Sequence, residues 1–244
     1  MGYSSSRHQW RFYALFIASL LLTSPLNVKV VLPLQNEAVP TYASEMIGAV
    51  PRSPIGSIDL NRDGSAECIH WDASAVRIDN CTGTASHMYW QSPEQWQVVQ
   101  WTVSDLNHDE YPELTLLVWR DFAPWPIERD APDGGRLGTF HDAHGKSCQV
   151  IMIGGGEAGF KEIWAGSALA NPILSLLAAD IDRDGLEELV AIEGEYRQPA
   201  AIRSGPVTIW KWNGFGFDLS QRLDGSFRHL ALLDKSRIWI IASQ

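Results

Sequence analysis

The sequence predicts an all-β protein, and three observations support this prediction. Short runs of β-branched and aromatic residues recur along the chain and end in turns rich in Asp, Asn and Gly, which is the pattern of strands and hairpins. The 244 residues include eleven Trp but only four Met, a composition that favours sheets over helical bundles. A nine-residue acidic motif occurs three times, each time between two apolar runs. With 45% hydrophobic residues, the chain can bury one sizeable core.

The N-terminal residues have the pattern of an export signal. A basic stretch (7–11) precedes the apolar run 12–22, whose length suits a signal peptide and is too short to span a bilayer. We therefore assign 1–24 to an export signal or a signal anchor, and 28–244 to a single β domain. Cleavage near the end of the apolar run, cleavage after Ala43 and retention as an anchor all stay open. A secreted or extracytoplasmic location is expected, with N-terminal membrane anchoring as the alternative.

The three acidic motifs (59–67, 105–113 and 180–188) are named here the first, second and third acidic loops. Each has Asp at position 1, Asp or Asn at position 3, Asp at position 5 and Glu at position 9. Oxygen atoms at alternate positions can point into one concavity and replace the water shell of a hard cation, so Ca²⁺ is the expected occupant of up to three structural sites. With position 7 included, the candidate metal ligands are Asp59, Asn61, Asp63, Ser65, Glu67, Asp105, Asn107, Asp109, Tyr111, Glu113, Asp180, Asp182, Asp184, Leu186 and Glu188.

The acidic loops are not EF-hands. An EF-hand requires a bidentate Glu at position 12 and a helix on each side, whereas position 12 is His70, Leu116 or Ala191. The flanking runs have the composition of strands, so each loop is predicted to be the turn of a β-hairpin. The predicted strands are 55–58, 68–71, 101–103, 114–119, 174–179 and 189–192.

This combination of acidic loop and following hydrophobic strand resembles the FG-GAP/VCBS repeat family, which includes the propeller of integrin α-subunits and many secreted bacterial proteins. The resemblance covers most of the chain after about residue 44. It implies a β-propeller with calcium in the blade hairpins and no particular activity. The second loop departs from the pattern because Glu110 stands where the others have Gly. A non-Gly residue with positive φ is strained by roughly 1–2 kcal/mol, so this loop is expected to bind calcium more weakly.

The spacing of the loops predicts the number of blades. The loops begin 46 and 75 residues apart, and Asp234 follows Asp180 by 54; periods near 50 suit four-stranded propeller blades. Near the C-terminus, an outer strand and a turn lead into the run 227–241. This run supplies two strands, whose connecting loop lacks the metal ligands, and therefore only half a blade. The segments 28–34 and 41–45 can supply the other half of that blade. We therefore predict a small four-bladed β-propeller closed by both termini, with five blades or an open blade stack as alternatives.

The cysteines indicate one disulfide, and the net charge argues against one class of partner. Cys68 and Cys81 lie 13 residues apart and are candidates for a disulfide, which leaves Cys148 as a small buried apolar side chain rather than a nucleophile. A net charge of −10 argues against nucleic-acid binding, which needs a basic surface.

Two long loops are the candidate ligand face. Within a blade, the turn between the second and third strands emerges opposite the metal hairpin, and 120–138 and 194–206 are the longest such turns. Aromatic and Arg side chains on long loops often recognise partners, although Trp125 is equally compatible with packing over the sheet. The ligand-face candidates are Arg120, Phe122, Trp125, Arg129, Tyr196 and Arg197.

Candidates for catalysis are few, and we assign no catalytic residue. The pair His141 and His144 lacks a third ligand at a fixed spacing, and Glu187 next to Glu188 is explained by the acidic loop. We therefore predict a non-catalytic binding module for an extracellular protein or a glycan. The alternative is a small extracellular hydrolase, glycan-directed, that uses the pore of the propeller.

Overall fold

A computed structural model describes residues 29–31, 57–72, 74–81, 88–123, 140–156, 159–198, 204–234 and 237–242. These residues form β-strands and contain no helix, which confirms the all-β prediction; in particular, this part of the chain has no apolar helix that could cross a membrane. The predicted signal (1–24), Trp125 and Arg129 lie outside the described residues. The strands are β1 (Lys29–Val31), β2 (Ser57–Ile58), β3 (Glu67–Asp72), β4 (Ala75–Asn80), β5 (Met88–Gln91), β6 (Gln97–Ser104), β7 (Glu113–Asp121), β8 (Lys146–Gly154), β9 (Lys161–Ala165), β10 (Ile173–Ala179), β11 (Glu188–Glu193), β12 (Gly205–Trp212), β13 (Phe217–Asp234) and β14 (Arg237–Ala242).

The strands form three sheets. The first contains β2 to β5 and the second β6 to β9, each in chain order. The third has the order β1-β14-β13-β12-β11-β10. Within all three sheets, β2 to β14 pair antiparallel with their neighbours. The strands therefore form three four-stranded repeats, β2 to β5, β6 to β9 and β10 to β13, and each repeat is a meander of hairpins.

The second sheet is packed on both faces. Along β7, Leu116 belongs to a core shared with the first sheet, and Leu117 belongs to a core shared with the third sheet. This alternation follows from the period-2 geometry of a strand, and it explains why the consecutive residues from Leu116 to Trp119 of β7 are all apolar. The second and third sheets are also joined by the Gln100 amide, whose Nε2 donates to Leu176 O over 2.6 Å and whose Oε1 accepts from Leu176 N over 3.0 Å.

The C-terminal part differs from the sequence prediction in one respect. We expected an outer strand, a turn and a new inner strand, but β13 is a single strand of 18 residues. Its first half pairs with β12 and its second half with β14, and Phe227 lies at the change of partner. The strand continues through 224–226 in place of the expected turn, with an irregularity in its pairing: Leu223 is opposite Val207 and Phe227 is opposite Gly205.

The N-terminal strand lies beside this C-terminal hairpin. β1 pairs with β14 in parallel, and Lys29 is opposite Trp239. The remainder of the predicted N-terminal strands (32–34 and 41–45) lies outside the described residues. The sheets do not form a closed sheet within the described part of the chain.

The disulfide prediction is confirmed. Cys68 and Cys81 are bonded, with 5.0 Å between their Cα atoms, and the bond joins the open end of the β3–β4 hairpin next to the first acidic loop. Cys148 is fully buried in the core between the second and third sheets.

Candidate metal-binding loops

The three acidic loops occupy equivalent places. They connect β2 to β3, β6 to β7 and β10 to β11, which are the first and second strands of the three repeats. The predicted hairpins are therefore present, with each loop at the turn.

The first acidic loop is organised by its own side-chain oxygens. The two carboxylate oxygens of Asp59 accept the N–H groups of Asp63 and Gly64 over 3.1 and 2.9 Å. Asn61 Oδ1 also accepts from Asp63 N over 2.9 Å, and Asp63 Oδ1 accepts from Ser65 N over 2.7 Å. Asp and Asn favour such local bonds to backbone two residues further on, so the loop shape is encoded within one short segment.

The second and third loops repeat this network bond for bond. Asp105 and Asp180 accept two backbone N–H groups each, over 3.0 to 3.1 Å. Backbone torsions repeat as well: position 4 and position 6 have positive φ in all three loops. The angles are 56° at Arg62, 59° at His108, 66° at Arg183, 88° at Gly64, 71° at Glu110 and 92° at Gly185. Glu110 therefore adopts the conformation that the other two loops assign to Gly.

The Glu at position 9 is buried in every loop. Glu67, Glu113 and Glu188 are 1%, 1% and 2% exposed. One carboxylate oxygen of each accepts the N–H of position 2, at Leu60, Leu106 or Ile181, over 2.8, 3.3 and 2.8 Å. Burial raises the pKa of all three Glu side chains, and that of Glu113 reaches about 8.

The second loop has a buried oxygen that lacks a partner. Glu113 Oε1 makes no hydrogen bond, and the nearby carboxylates of Asp105 and Asp109 further raise the pKa of Glu113. Ligand oxygens of these three residues lie within 4.8 Å of one another. A buried carboxylate oxygen facing other carboxylates is costly without a compensating cation, so this cluster fits a metal ion.

The third loop forms a second cluster, in which carboxylate oxygens of Asp180, Asp182 and Glu188 also lie within 4.8 Å of one another. Among the described residues, the first loop does not bring three carboxylates this close. Two of the three predicted loops therefore bring together carboxylates that could hold a metal ion, and both offer only oxygen ligands.

A lysine enters the third loop from β12. Lys211 Nζ lies 2.5 Å from Asp182 Oδ2, 3.2 Å from Glu188 Oε1 and 3.4 Å from Asp184 Oδ2. Its hydrogen bond to Asp182 lowers the pKa of that carboxyl group and raises the pKa of the ammonium. Lys211 was not predicted from the sequence, because it reaches the loop through the pairing of β12 with β11, and that pairing was the signal that could have located it.

The loops also contact one another. The Arg62 guanidinium lies 4.8 Å from the centre of the Tyr111 ring, which joins the first loop to the second. Glu187 accepts Asp105 N–H at its carboxylate over 2.8 Å, and its main-chain oxygen lies 2.9 Å from His108 Nε2. Consecutive acidic loops are therefore neighbours.

The candidate ligands at position 7 bond within their own loops. The N–H groups of Ser65, Tyr111 and Leu186 donate to the carboxylate of the Asp at position 5.

The described ligand-face candidates have different environments. Tyr196 OH donates to Leu169 O over 2.7 Å and accepts from Cys148 N over 3.1 Å, which holds Tyr196 in the structure. The guanidinium of Arg120 lies 5.6 Å from the centre of the Trp96 ring, and burial lowers its pKa. The remaining two are Phe122, whose ring is 5.2 Å from that of His141, and Arg197, which is exposed.

No family model matches the chain, and no curated protein matches it significantly. The repeated loop geometry and the two carboxylate clusters are therefore the features on which a function can be proposed.

Proposed function

We propose that this protein is an exported, calcium-binding β-propeller that serves as a non-catalytic binding module. The three meander sheets pack in chain order through two cores, as consecutive blades do. The pairing of β1 with β14 supports closure by both termini, with the second half of β13 as the inner strand of a fourth blade. The acidic repeats of the FG-GAP/VCBS pattern support the same architecture.

The observation that carries the calcium proposal is the unpartnered Glu113 Oε1. It is buried beside Asp105 and Asp109, and all of the available ligand atoms are oxygens. Ca²⁺ accepts six to eight oxygen ligands in flexible geometry, including carboxylates and main-chain carbonyls from a short loop. A bound calcium ion would give Glu113 Oε1 the partner that the protein itself does not provide.

The calcium proposal is tested by counting bound ions. Native mass spectrometry and calorimetric titration of the mature protein should show calcium uptake, and Asp109→Asn should remove one ion. Asp142→Asn is the matched control, because Asp142 also organises a turn, accepting from His144 N and Lys146 N, but lies outside the acidic loops. The proposal fails if the wild type takes up no calcium, or if the control loses as much calcium as Asp109→Asn.

The proposed ligand face is opposite the acidic loops. β7 runs from the loop at Glu113 to Asp121, and β11 from Glu188 to Glu193, so the connections that follow both strands emerge at the other end. Arg197 is exposed on one of them. Its cationic donors on an otherwise acidic protein favour an anionic or hydroxyl-rich partner, such as an acidic protein surface or a glycan.

The ligand face is tested by screening glycans and extracellular proteins for binding. Trp125→Ala should weaken binding about thirtyfold if Trp125 is an aromatic anchor, and Arg197→Ala should weaken it less. Lys161→Ala is the control. Lys161 is also an exposed cation, but it lies at the acidic-loop end of the second sheet and therefore away from the proposed ligand face. Full affinity in folded Trp125→Ala and Arg197→Ala variants would exclude this face, and steady turnover of a substrate would favour the hydrolase.

A further inference from the structure

The third acidic loop already contains a positive charge. Lys211 Nζ contacts carboxylate oxygens from positions 3, 5 and 9, at Asp182, Asp184 and Glu188. These positions are among those that define the candidate metal site. In the second loop, the oxygen equivalent to Glu188 Oε1 is Glu113 Oε1, which has no partner.

Strand register explains why, among the described residues, a lysine reaches the third loop and not the other two. β12 pairs with β11 so that Trp210 is opposite Leu189, and Lys211 therefore lies beside Glu188 at the mouth of the loop. In the first sheet the corresponding residue is Asn80, opposite Glu67. In the second it is Gly154, which follows the partner of Leu114. Neither Asn nor Gly carries a charge.

The third loop also has one more carboxylate than the other two among its candidate ligands, in keeping with the extra positive charge of Lys211. Position 3 is Asn61 in the first loop and Asn107 in the second, but Asp182 in the third. The additional carboxylate is the one closest to Lys211 Nζ, at 2.5 Å. The extra negative charge and the lysine therefore compensate each other directly.

We infer that Lys211 is a built-in cation of the third loop, which Ca²⁺ must displace in order to bind there. This inference rests on the proposed calcium binding. An ammonium group and Ca²⁺ cannot use the same oxygens, because the ion requires oxygen distances of about 2.3–2.6 Å and the two cations repel each other. Charge-assisted contacts to a buried carboxylate must also be broken. The third loop consequently binds calcium more weakly than the second and keeps its carboxylates compensated without calcium.

The test is a calcium titration of the wild type, Lys211→Met and Lys146→Met by calorimetry, with native mass spectrometry to count ions. Lys146 is the matched control: its side chain is 39% exposed, like that of Lys211, and it forms a 2.7 Å salt bridge to Asp121 away from the acidic loops. Lys211→Met should strengthen one calcium site about tenfold or more, as expected when a competing charged contact is removed. Lys146→Met should leave all sites unchanged.

Folding is checked by melting, and Lys211→Gln serves as a second variant that removes the charge but keeps a polar side chain if Lys211→Met does not fold. Without calcium, Lys211→Met should melt at a lower temperature than Lys146→Met, and saturating calcium should reduce this difference. Equal calcium affinities in the wild type and both Lys211 variants would overturn the inference while the calcium proposal stands. No calcium uptake by any of the proteins would overturn the calcium proposal and the inference with it.

Discussion

The second and third acidic loops have the same backbone and different chemistry. Both use Asp at position 1 to accept two backbone N–H groups, and both bury the Glu at position 9. In the second loop Glu113 Oε1 has no partner, whereas in the third Glu188 Oε1 contacts Lys211. The shape of such a loop is therefore independent of what neutralises it.

The acidic residues of a loop therefore have two separate roles. The Asp at position 1 and the Asp or Asn at position 3 shape the turn through local hydrogen bonds, whatever cation is present. The buried Glu at position 9 creates the demand for a positive charge, since a carboxylate out of water is unfavourable unless it is paired. In the second loop no described residue pairs with Glu113 Oε1, whereas in the third Lys211 pairs with Glu188 from within the chain.

The largest expected effect is that of calcium removal on the free energy of unfolding. Each loop that binds calcium only in the native state gains about 2.7 kcal/mol when calcium is at a hundredfold excess over its Kd. Adding a chelator should therefore lower the melting temperature, mostly through loops without a lysine. Differential scanning calorimetry with and without chelator measures this, and an unchanged midpoint would contradict it.

The next largest effect is that of Glu113→Gln on the free energy of unfolding, which should be stabilising in chelator at high pH and destabilising with calcium. The folded-state pKa of Glu113 is raised to about 8, so the native state holds a proton that the unfolded chain has already released. In chelator, the contribution of Glu113 to stability is present at low pH and is lost as the pH rises through about 8.

Glu113→Gln should abolish this pH dependence and stabilise the chelated protein at pH 9 by about 2 kcal/mol, because a buried uncompensated charge is removed. With calcium present, the same variant should be less stable than the wild type. Urea unfolding at pH 6 and pH 9 in both conditions supplies the four comparisons. A variant that is destabilised by a similar amount in all four would show that Glu113 has only a structural role.

A smaller effect is expected at position 6. Glu110 has φ = 71°, a conformation that Gly adopts without strain, so Glu110→Gly should stabilise the second loop by about 1 kcal/mol. The reverse change at the same position of the third loop, Gly185→Glu, should cost a similar amount. Thermal unfolding of both variants measures this, and a loss of stability in Glu110→Gly would mean that the Glu side chain makes a favourable contribution.

The smallest effect concerns position 3. Asp182→Asn removes an exposed partner of Lys211 and should cost about 0.5 kcal/mol in chelator, an effect that added salt should reduce. Asn107→Asp introduces the same charge into a loop that no described lysine contacts, and it should destabilise the chelated protein by a similar amount. Stabilisation by Asn107→Asp in chelator would show that the second loop also contains a compensating cation.

Much of the fold could be predicted, because its determinants are close in sequence. The described strands that flank the loops lie where short apolar and aromatic runs predicted them; for example, the predicted 114–119 is contained in β7 (Glu113–Asp121). The pairing of Cys68 with Cys81 was also accessible, since both belong to one hairpin. In contrast, 224–226 has the composition of a turn, and β13 nevertheless continues through it because each half of the strand has its own pairing partner.

Less of the candidate site could be predicted. Tyr196 is an exposed-loop candidate by sequence, but its hydroxyl group bridges Leu169 and Cys148, which are distant in the chain. Likewise, the bond between Asp105 N and Glu187 spans 82 positions. Such contacts depend on how the sheets pack, which short-range patterns do not encode.

The sequence by itself determined the three acidic loops, their oxygen-bearing side chains and their hairpin setting, because the hydrogen bonds that shape each loop lie within nine consecutive residues. Only the tertiary structure decided which loop has an unpaired carboxylate oxygen and which has an internal cation. Lys211 is 29 residues from Asp182, and the register of β12 against β11 brings the two together. Local side chains therefore specify the shape of an acidic loop, and long-range strand pairing specifies the charge that balances it.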